Sequence, residues 1–128
     1  MKKITPWLLV LFLFVQNIQS QVLLEEFEGA SFPPAGWLVA DNGVGTLNSW
    51  TRTNVANQVY QGTWSAFMTR ENIGAGNTAQ DWLITPQILV PTNGQLKFFT
   101  RTTLAGNQGT VYQVRISTNA DQAAQGNY

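Results

Sequence analysis

No stretch of this chain beyond residue 20 shows the 3.6-residue period of an amphipathic helix. The apolar runs there are short, and glycine, proline, asparagine or aspartate separates one run from the next. This pattern is typical of strands joined by turns, and many short strands at near-regular spacing indicate a β-sandwich. We therefore predict an all-β domain. The expected strands cover residues 22–28, 37–40, 50–55, 65–70, 81–90, 95–101 and 110–118.

One turn has a specific sequence signal. Asn93-Gly94 is a dipeptide strongly favoured in two-residue hairpin loops, because both residues tolerate the positive φ that such a loop requires. It predicts a hairpin that joins residues 87–90 to residues 95–101.

The last expected strand, residues 110–118, has the cleanest alternation in the chain. Tyr112, Val114 and Ile116 alternate with polar residues, which predicts one buried face and one solvated face. The polar residues that follow supply no further strand to cover the edge of the sheet. We therefore expect the sandwich to lack its last strands and the domain, residues 21–128, to be incomplete at its C-terminus.

The first 20 residues are predicted to be a secretory signal peptide. Lys2 and Lys3 form a positive start, nine apolar residues follow at 7–15, and a polar stretch ends at Ser20, the expected cleavage site. A helix of nine residues rises about 13 Å, which is too short for a bilayer core of about 30 Å. We therefore expect export, a location outside the cell or on its outer surface, and no membrane span after cleavage.

The charge balance argues against nucleic acid as a partner. Removal of Lys2 and Lys3 leaves five basic side chains against seven acidic ones, a net charge of −2. Binding of nucleic acid depends on clustered Lys and Arg that neutralise phosphates, and no such cluster is present.

The composition also limits catalysis. The chain has no Cys and no His, so the usual Ser-His and Cys-His arrangements are excluded and no disulfide stabilises the domain. A glycosidase-type carboxylate pair could be drawn from Glu26, Glu28 and Asp81, but two acids near one strand end are more often solvated or bound to metal. We expect no enzyme activity. Stability must then come from the Trp and Phe side chains, from a metal ion, or from both.

A series of short blocks follows one another in a fixed order between residues 24 and 118. The blocks are Glu26-Phe27-Glu28-Gly29, Phe32-Pro33-Pro34-Ala35-Gly36-Trp37, Asp41-Asn42-Gly43, Gly62-Thr63-Trp64-Ser65-Ala66, Asp81-Trp82-Leu83-Ile84-Thr85-Pro86, Leu96-Lys97-Phe98-Phe99 and residues 112–118. In this order they resemble the cleaved-adhesin, or choice-of-anchor J, domains of Bacteroidetes secreted proteins. The adhesin domains of gingipains belong to this group, and the MAM domains of animal receptors look like distant relatives.

The resemblance implies a jelly-roll β-sandwich of the galactose-binding-like or MAM-like type, without catalytic activity, within a larger secreted protein. It makes an adhesin-type binding module the preferred function, with a glycan or an extracellular protein as the partner. Two alternatives stay open: an accessory domain of a secreted peptidase or other hydrolase, and a structural spacer of a surface protein. The chain downstream of residue 128 would discriminate among the three.

Calcium is the expected cofactor. Ca²⁺ is bound by six to eight hard oxygen ligands, and related domains are implied to carry calcium sites. Glu28, at the end of the first expected strand, and Asp81, at the start of a later one, are the first candidate ligands. Asp41 in its Gly-rich loop is a third. A plain turn and surface charges are the alternative reading of these residues.

The tryptophans offer a second kind of site, because aromatic rings can stack on sugars. Packing in the core is the preferred role for most of them. Trp64 lies beside a turn, so we expect it to be the most exposed tryptophan and the candidate ligand-binding residue.

Overall fold

The structure is a computed structural model that describes residues 21–124 and residue 126. The predicted leader at residues 1–20 lies outside the described residues. Four short strands and almost no helix make up the regular structure. They are β1 (Leu38–Asp41), β2 (Thr51–Thr53), β3 (Ser65–Phe67) and β4 (Asp81–Ile84). No helix within the described residues has the length and apolar character that a bilayer crossing requires.

The strands form two separate antiparallel pairs. β1 pairs with β4 in a register that places Leu38 opposite Ile84 and Asp41 opposite Asp81. β2 pairs with β3, with Arg52 opposite Ala66. The predicted all-β class is confirmed, and small antiparallel sheets are consistent with a β-sandwich. Two pairs are too few strands to define a jelly roll, so the jelly-roll topology stays a prediction.

Few residues of the described chain are buried. Ile84 in β4 and Thr53 in β2 are the buried residues among those described, at 7% and 8% exposure. Four tryptophans are half-buried: Trp37, Trp50, Trp64 and Trp82. The Trp50 indole N–H donates to the Asp81 main-chain oxygen at 3.1 Å, which connects the start of β2 to the start of β4.

The predicted first strand at residues 22–28 is wrong. Phe27 has a φ of 60°, which breaks an extended run, and its ring packs against Phe32 and Trp37 at centroid distances of 6.0 and 5.7 Å. The Arg52 guanidinium donates to the main-chain oxygens of Phe27 and Gly29, so a side chain satisfies carbonyls that a neighbouring strand would otherwise pair. This segment is therefore held by aromatic packing and one arginine.

The predicted hairpin at Asn93-Gly94 is half right. A turn forms, with the Gly94 N–H donating to the Pro91 oxygen at 2.9 Å, but no ladder joins its flanks in the described chain. Only Asn93 has a positive φ, 63°, whereas the expected loop needs two consecutive residues with positive φ. A turn spanning 91–94 with one positive φ at its third position has the twist of a type II turn, which splays flanking strands.

The expected strand at residues 110–118 is also wrong. The segment has no ladder partner among the described residues, so its apolar face stays in solvent: Tyr112, Val114 and Ile116 are 68%, 53% and 86% exposed. Alternation shows which face a strand would bury, but pairing also requires a neighbouring edge. The segment lies near β4, because the Arg115 guanidinium lies over the Trp82 ring at 5.1 Å.

Candidate functional site

Two aspartates face each other at the open end of the β1–β4 pair. The Asn42 N–H donates to the Gln80 oxygen at 3.1 Å, so residues 42 and 80 form a hydrogen-bonded pair one step beyond the strands. Since hydrogen-bonded and non-hydrogen-bonded pairs alternate in an antiparallel ladder, Asp41 and Asp81 form a non-hydrogen-bonded pair. Side chains are closer in such pairs, with Cα atoms about 4.5 Å apart. The register therefore places two carboxylates against one another on one face.

The environment of Asp81 is unusual for a carboxylate. Its Oδ1 atom is enclosed and has no hydrogen-bond donor in the described part of the chain. Burial raises the pKa of the Asp81 carboxyl, and the nearby carboxylates of Asp41 and Glu71 raise this pKa further. The ionised form of Asp81 is therefore disfavoured unless a cation is added.

Loop geometry fixes the position of Asp41. Its Oδ1 accepts the Gly43 N–H at 2.6 Å, which closes a short turn directly after β1. The Asn42 side chain then connects this turn to the loop residues just before β4: its Nδ2 donates to the Thr78 oxygen at 2.9 Å, and its Oδ1 accepts the Gln80 N–H at 3.1 Å. The turn is therefore held against the segment that leads into β4, while Asp41 remains exposed.

Glu71 is positioned from a different loop. Its Oε2 accepts the Asn48 N–H at 2.8 Å. Sequence reasoning missed Glu71, because residues 71–80 carry no periodic pattern and no strand signal. Glu71 stands out only because it is half-buried, and its burial is visible only in the folded chain.

The carboxylate oxygens at this end of the β1–β4 pair are suitable ligands for a hard cation. Carboxylate oxygens are the ligands that Ca²⁺ prefers, and the enclosed Oδ1 of Asp81 is an acceptor without a donor. In the described residues, no group of three or more His, Cys, Asp or Glu side chains is arranged to hold a metal ion. At this end the structure therefore offers two facing carboxylates, those of Asp41 and Asp81.

Glu28, the remaining predicted ligand, has a different role in the structure. Its Oε1 accepts the main-chain N–H groups of Thr63 and Trp64 at 2.6 and 2.9 Å. Hydrogen bonds from Trp64 and Thr63, assisted by the charge of Arg52, lower the pKa of Glu28. The carboxylate therefore connects the N-terminal segment to the turn before β3, apart from the Asp41–Asp81 pair.

Replacing Glu28 by Gln tests this connection. Because the folded-state pKa of Glu28 is lowered, its ionised form contributes stability above the ordinary Glu pKa, and that contribution is lost as pH falls through the lowered value. We expect Glu28→Gln to lower the melting temperature at pH 7 and to change it little at pH 3. Melting curves at both pH values measure this. Glu26→Gln, at an exposed acid nearby, is the control and should leave both temperatures unchanged. An equal loss from Glu28→Gln at both pH values would contradict the assignment.

Trp64 is less open than the sequence suggested. It is half-buried, and the Arg52 guanidinium lies 4.0 Å from the centroid of its ring. One ring face is therefore covered by a cation, an arrangement that stabilises the ring in place. The same arginine also reaches the Phe27 and Gly29 oxygens, so Trp64 belongs to the cluster that anchors the N-terminal segment.

Of the predicted site residues, the structure brings Asp41 and Asp81 together, places Glu28 at the turn of residues 62–64, and covers one face of Trp64.

Comparison with known proteins adds one finding. A search of the curated proteins gives no significant match, and a search of the solved structures gives none. The family model described as the Cleaved Adhesin Domain matches residues 20–127. That match spans most of the 128 residues and agrees with the all-β structure. It also agrees with the resemblance carried by the blocks between residues 24 and 118, and on these grounds the chain belongs to the cleaved adhesin domain family.

Proposed function

We propose that this chain is a secreted or surface-displayed adhesin-type binding module without catalytic activity of its own. The observation that carries the proposal is the family match over residues 20–127, because this family is adhesin-type and non-catalytic. The composition supports it as well. A chain with no His and no Cys lacks the groups that most hydrolases use as base and nucleophile.

Export is part of the proposal. The positive start, the apolar run of nine residues and the small residue at position 20 support a cleaved leader, and an adhesin-type domain acts outside the cell. The partner is an extracellular glycan or an extracellular protein. The net charge of −2 that remains after leader removal argues against a nucleic-acid partner.

Binding to arrays tests the proposal. One array carries neutral and acidic oligosaccharides, and the other carries purified extracellular-matrix proteins. In 2 mM Ca²⁺ we expect the folded chain to bind a defined subset of these targets saturably. The heat-unfolded chain at the same concentration is the control. Saturable binding confined to the folded chain supports an adhesin module. Equal signals from folded and unfolded chains, or no saturable binding to either set, would overturn the proposal.

We also propose that Ca²⁺ bound by Asp41 and Asp81 stabilises the module. Three observations support it: the close cross-strand pairing of the two aspartates, the enclosed Oδ1 of Asp81, and the raised pKa of Asp81. A bound divalent cation would neutralise the repulsion that two facing carboxylates create. Extracellular modules bind Ca²⁺ with Kd values of about 10⁻⁴ to 10⁻³ M, which suits the calcium levels of an extracellular location.

A further inference from the structure

A surface groove lies beside the turn that precedes β3. It has a volume of about 430 Å³, which falls in the range of small-molecule sites. Its lining combines an amide, a hydroxyl, an aromatic ring and small apolar groups. The lining residues are Asn54, Ala56, Val59, Tyr60, Gly62 and Thr63.

The aromatic residue of the groove is held in a fixed orientation. The rings of Tyr60 and Phe99 stack in parallel, with centroids 4.0 Å apart and an angle of 11° between their planes. Tyr60 is nevertheless 59% exposed, and Phe99 is 71% exposed. One face of Tyr60 is therefore covered by Phe99 while much of the residue stays open to solvent. A ring already ordered by its neighbour loses little conformational freedom when a ligand stacks on it.

The electrostatics of the groove favour a neutral ligand. None of its lining side chains is charged. Two charged side chains of opposite sign contact the main chain of lining residues: Arg101 donates to the Val59 oxygen at 3.4 Å, and Glu28 accepts the Thr63 N–H at 2.6 Å. An anionic ligand such as a phosphate would find no cluster of positive side chains here.

We infer that this groove binds a neutral carbohydrate, with Tyr60 as its stacking platform. A sugar ring offers a C–H face that packs on an aromatic ring, and hydroxyls that pair with an amide and a hydroxyl. Asn54 and Thr63 supply that amide and that hydroxyl. The inference rests on the proposed adhesin function and names the partner class and the groove. It names Tyr60 rather than Trp64 as the stacking residue, because Tyr60 is 59% exposed whereas Trp64 is half-buried.

Titration followed by NMR tests the inference. The probes are methyl β-galactoside, methyl α-mannoside and methyl N-acetyl-β-glucosaminide, each added to the ¹⁵N-labelled chain up to 50 mM. We expect at least one probe to shift the amide signals of residues 54–63 saturably. Tyr60→Ala should weaken that binding about tenfold, the loss expected when one aromatic contact is removed. Tyr112→Ala removes a tyrosine that is 68% exposed and lies outside the groove, so it should leave the affinity unchanged.

The outcomes separate this inference from the proposed function. No saturable shift with any probe, or shifts that survive in Tyr60→Ala, would overturn the carbohydrate groove. A loss in Tyr60→Ala counts in its favour only if the backbone signals of that variant remain dispersed and unshifted away from the groove. If the probes fail while the arrays show saturable binding to matrix proteins, the adhesin function stands and only the groove assignment falls.

Discussion

Replacing Gly45 by alanine should destabilise the fold by about 2 to 4 kcal/mol. Gly45 has a φ of 74°, where an alanine is strained by about 1 kcal/mol or more. A Cβ here would also lie 2.5 Å from Glu71 Oε1, 2.8 Å from the Ile73 Cγ2 methyl and 3.1 Å from the Ala79 Cβ. Overpacking of this kind costs about 1 to 3 kcal/mol. Urea unfolding of the variant measures the loss.

Gly43→Ala is the matched control for this prediction. Gly43 has a similar φ of 79°, but a Cβ there would meet nothing within 4 Å. It should therefore pay only the backbone strain, about 1 kcal/mol. The difference between the two variants isolates the close approach of the 41–45 loop to Glu71 and Ile73. Equal losses in both variants would show that the two loops are not packed as described.

The effect of Asp41→Asn on the stability of the fold should reverse in sign when calcium is added. Without Ca²⁺, removing one of two facing carboxylates relieves repulsion and should stabilise the fold by a few tenths of a kcal/mol to about 1 kcal/mol. Asparagine keeps an Oδ1 that can accept the Gly43 N–H, so the turn after β1 should survive. With Ca²⁺, the variant loses a charged ligand and should become less stable than the parent chain.

Melting in calcium and in chelator measures this reversal. At a free Ca²⁺ concentration of about 100 times Kd, binding should stabilise the parent chain by about 2.7 kcal/mol, or roughly 10 °C in melting temperature. Asp41→Asn should gain much less. Gly76→Ala serves as an uncharged control in another loop, and its calcium response should equal that of the parent. A stabilisation of Asp41→Asn by the same amount as the parent would contradict a site that uses Asp41.

The pH dependence without calcium has a defined direction. The folded-state pKa of Asp81 is raised, so the folded chain binds more protons than the unfolded chain between the ordinary Asp pKa and the raised value. The Asp81 contribution to stability is therefore more favourable at the acidic end and declines as pH rises through that window. Glu28 contributes in the opposite direction, because its pKa is lowered. Bound calcium should remove the pH dependence of stability that comes from Asp81 and leave the pH dependence that comes from Glu28.

The local signals of the sequence predicted the central strands well. The expected strands at 50–55, 65–70 and 81–90 each contain one observed strand, which is shorter than expected. The expected strand at 37–40 has the right length and is shifted by one residue from β1. These segments combine apolar or aromatic residues with turn residues on both sides, so local propensity and pairing agree. Pro86 explains why the last of them ends early, since proline cannot donate to a ladder.

The failures have a different origin. Alternation along residues 110–118 predicts a strand, but it does not show which edge the strand joins. The sequence around Phe27 predicts a strand, yet Phe27 has a positive φ and its ring packs against Phe32 and Trp37, which no local pattern reveals. Both outcomes depend on tertiary contacts rather than on the residues themselves.

The candidate site was predictable only in part. Asp41 and Asp81 were singled out separately, and the β1–β4 register that makes them a facing pair was not. Glu28 was grouped with Asp81 because both lie at expected strand ends. In the folded chain it accepts two N–H groups from the 62–64 turn. Strand-end position alone does not fix which ends meet, because that depends on the order of strands in a sheet.

Calorimetric titration of the chain with Ca²⁺ is the most direct test of the central claim, that Asp41 and Asp81 bind a cation together. We expect saturable heat with a Kd of about 10⁻⁴ to 10⁻³ M. Asp81→Asn should abolish this heat, and Glu28→Gln should preserve it. No heat from the parent chain together with an unchanged melting temperature would contradict the claim, as would full binding by Asp81→Asn.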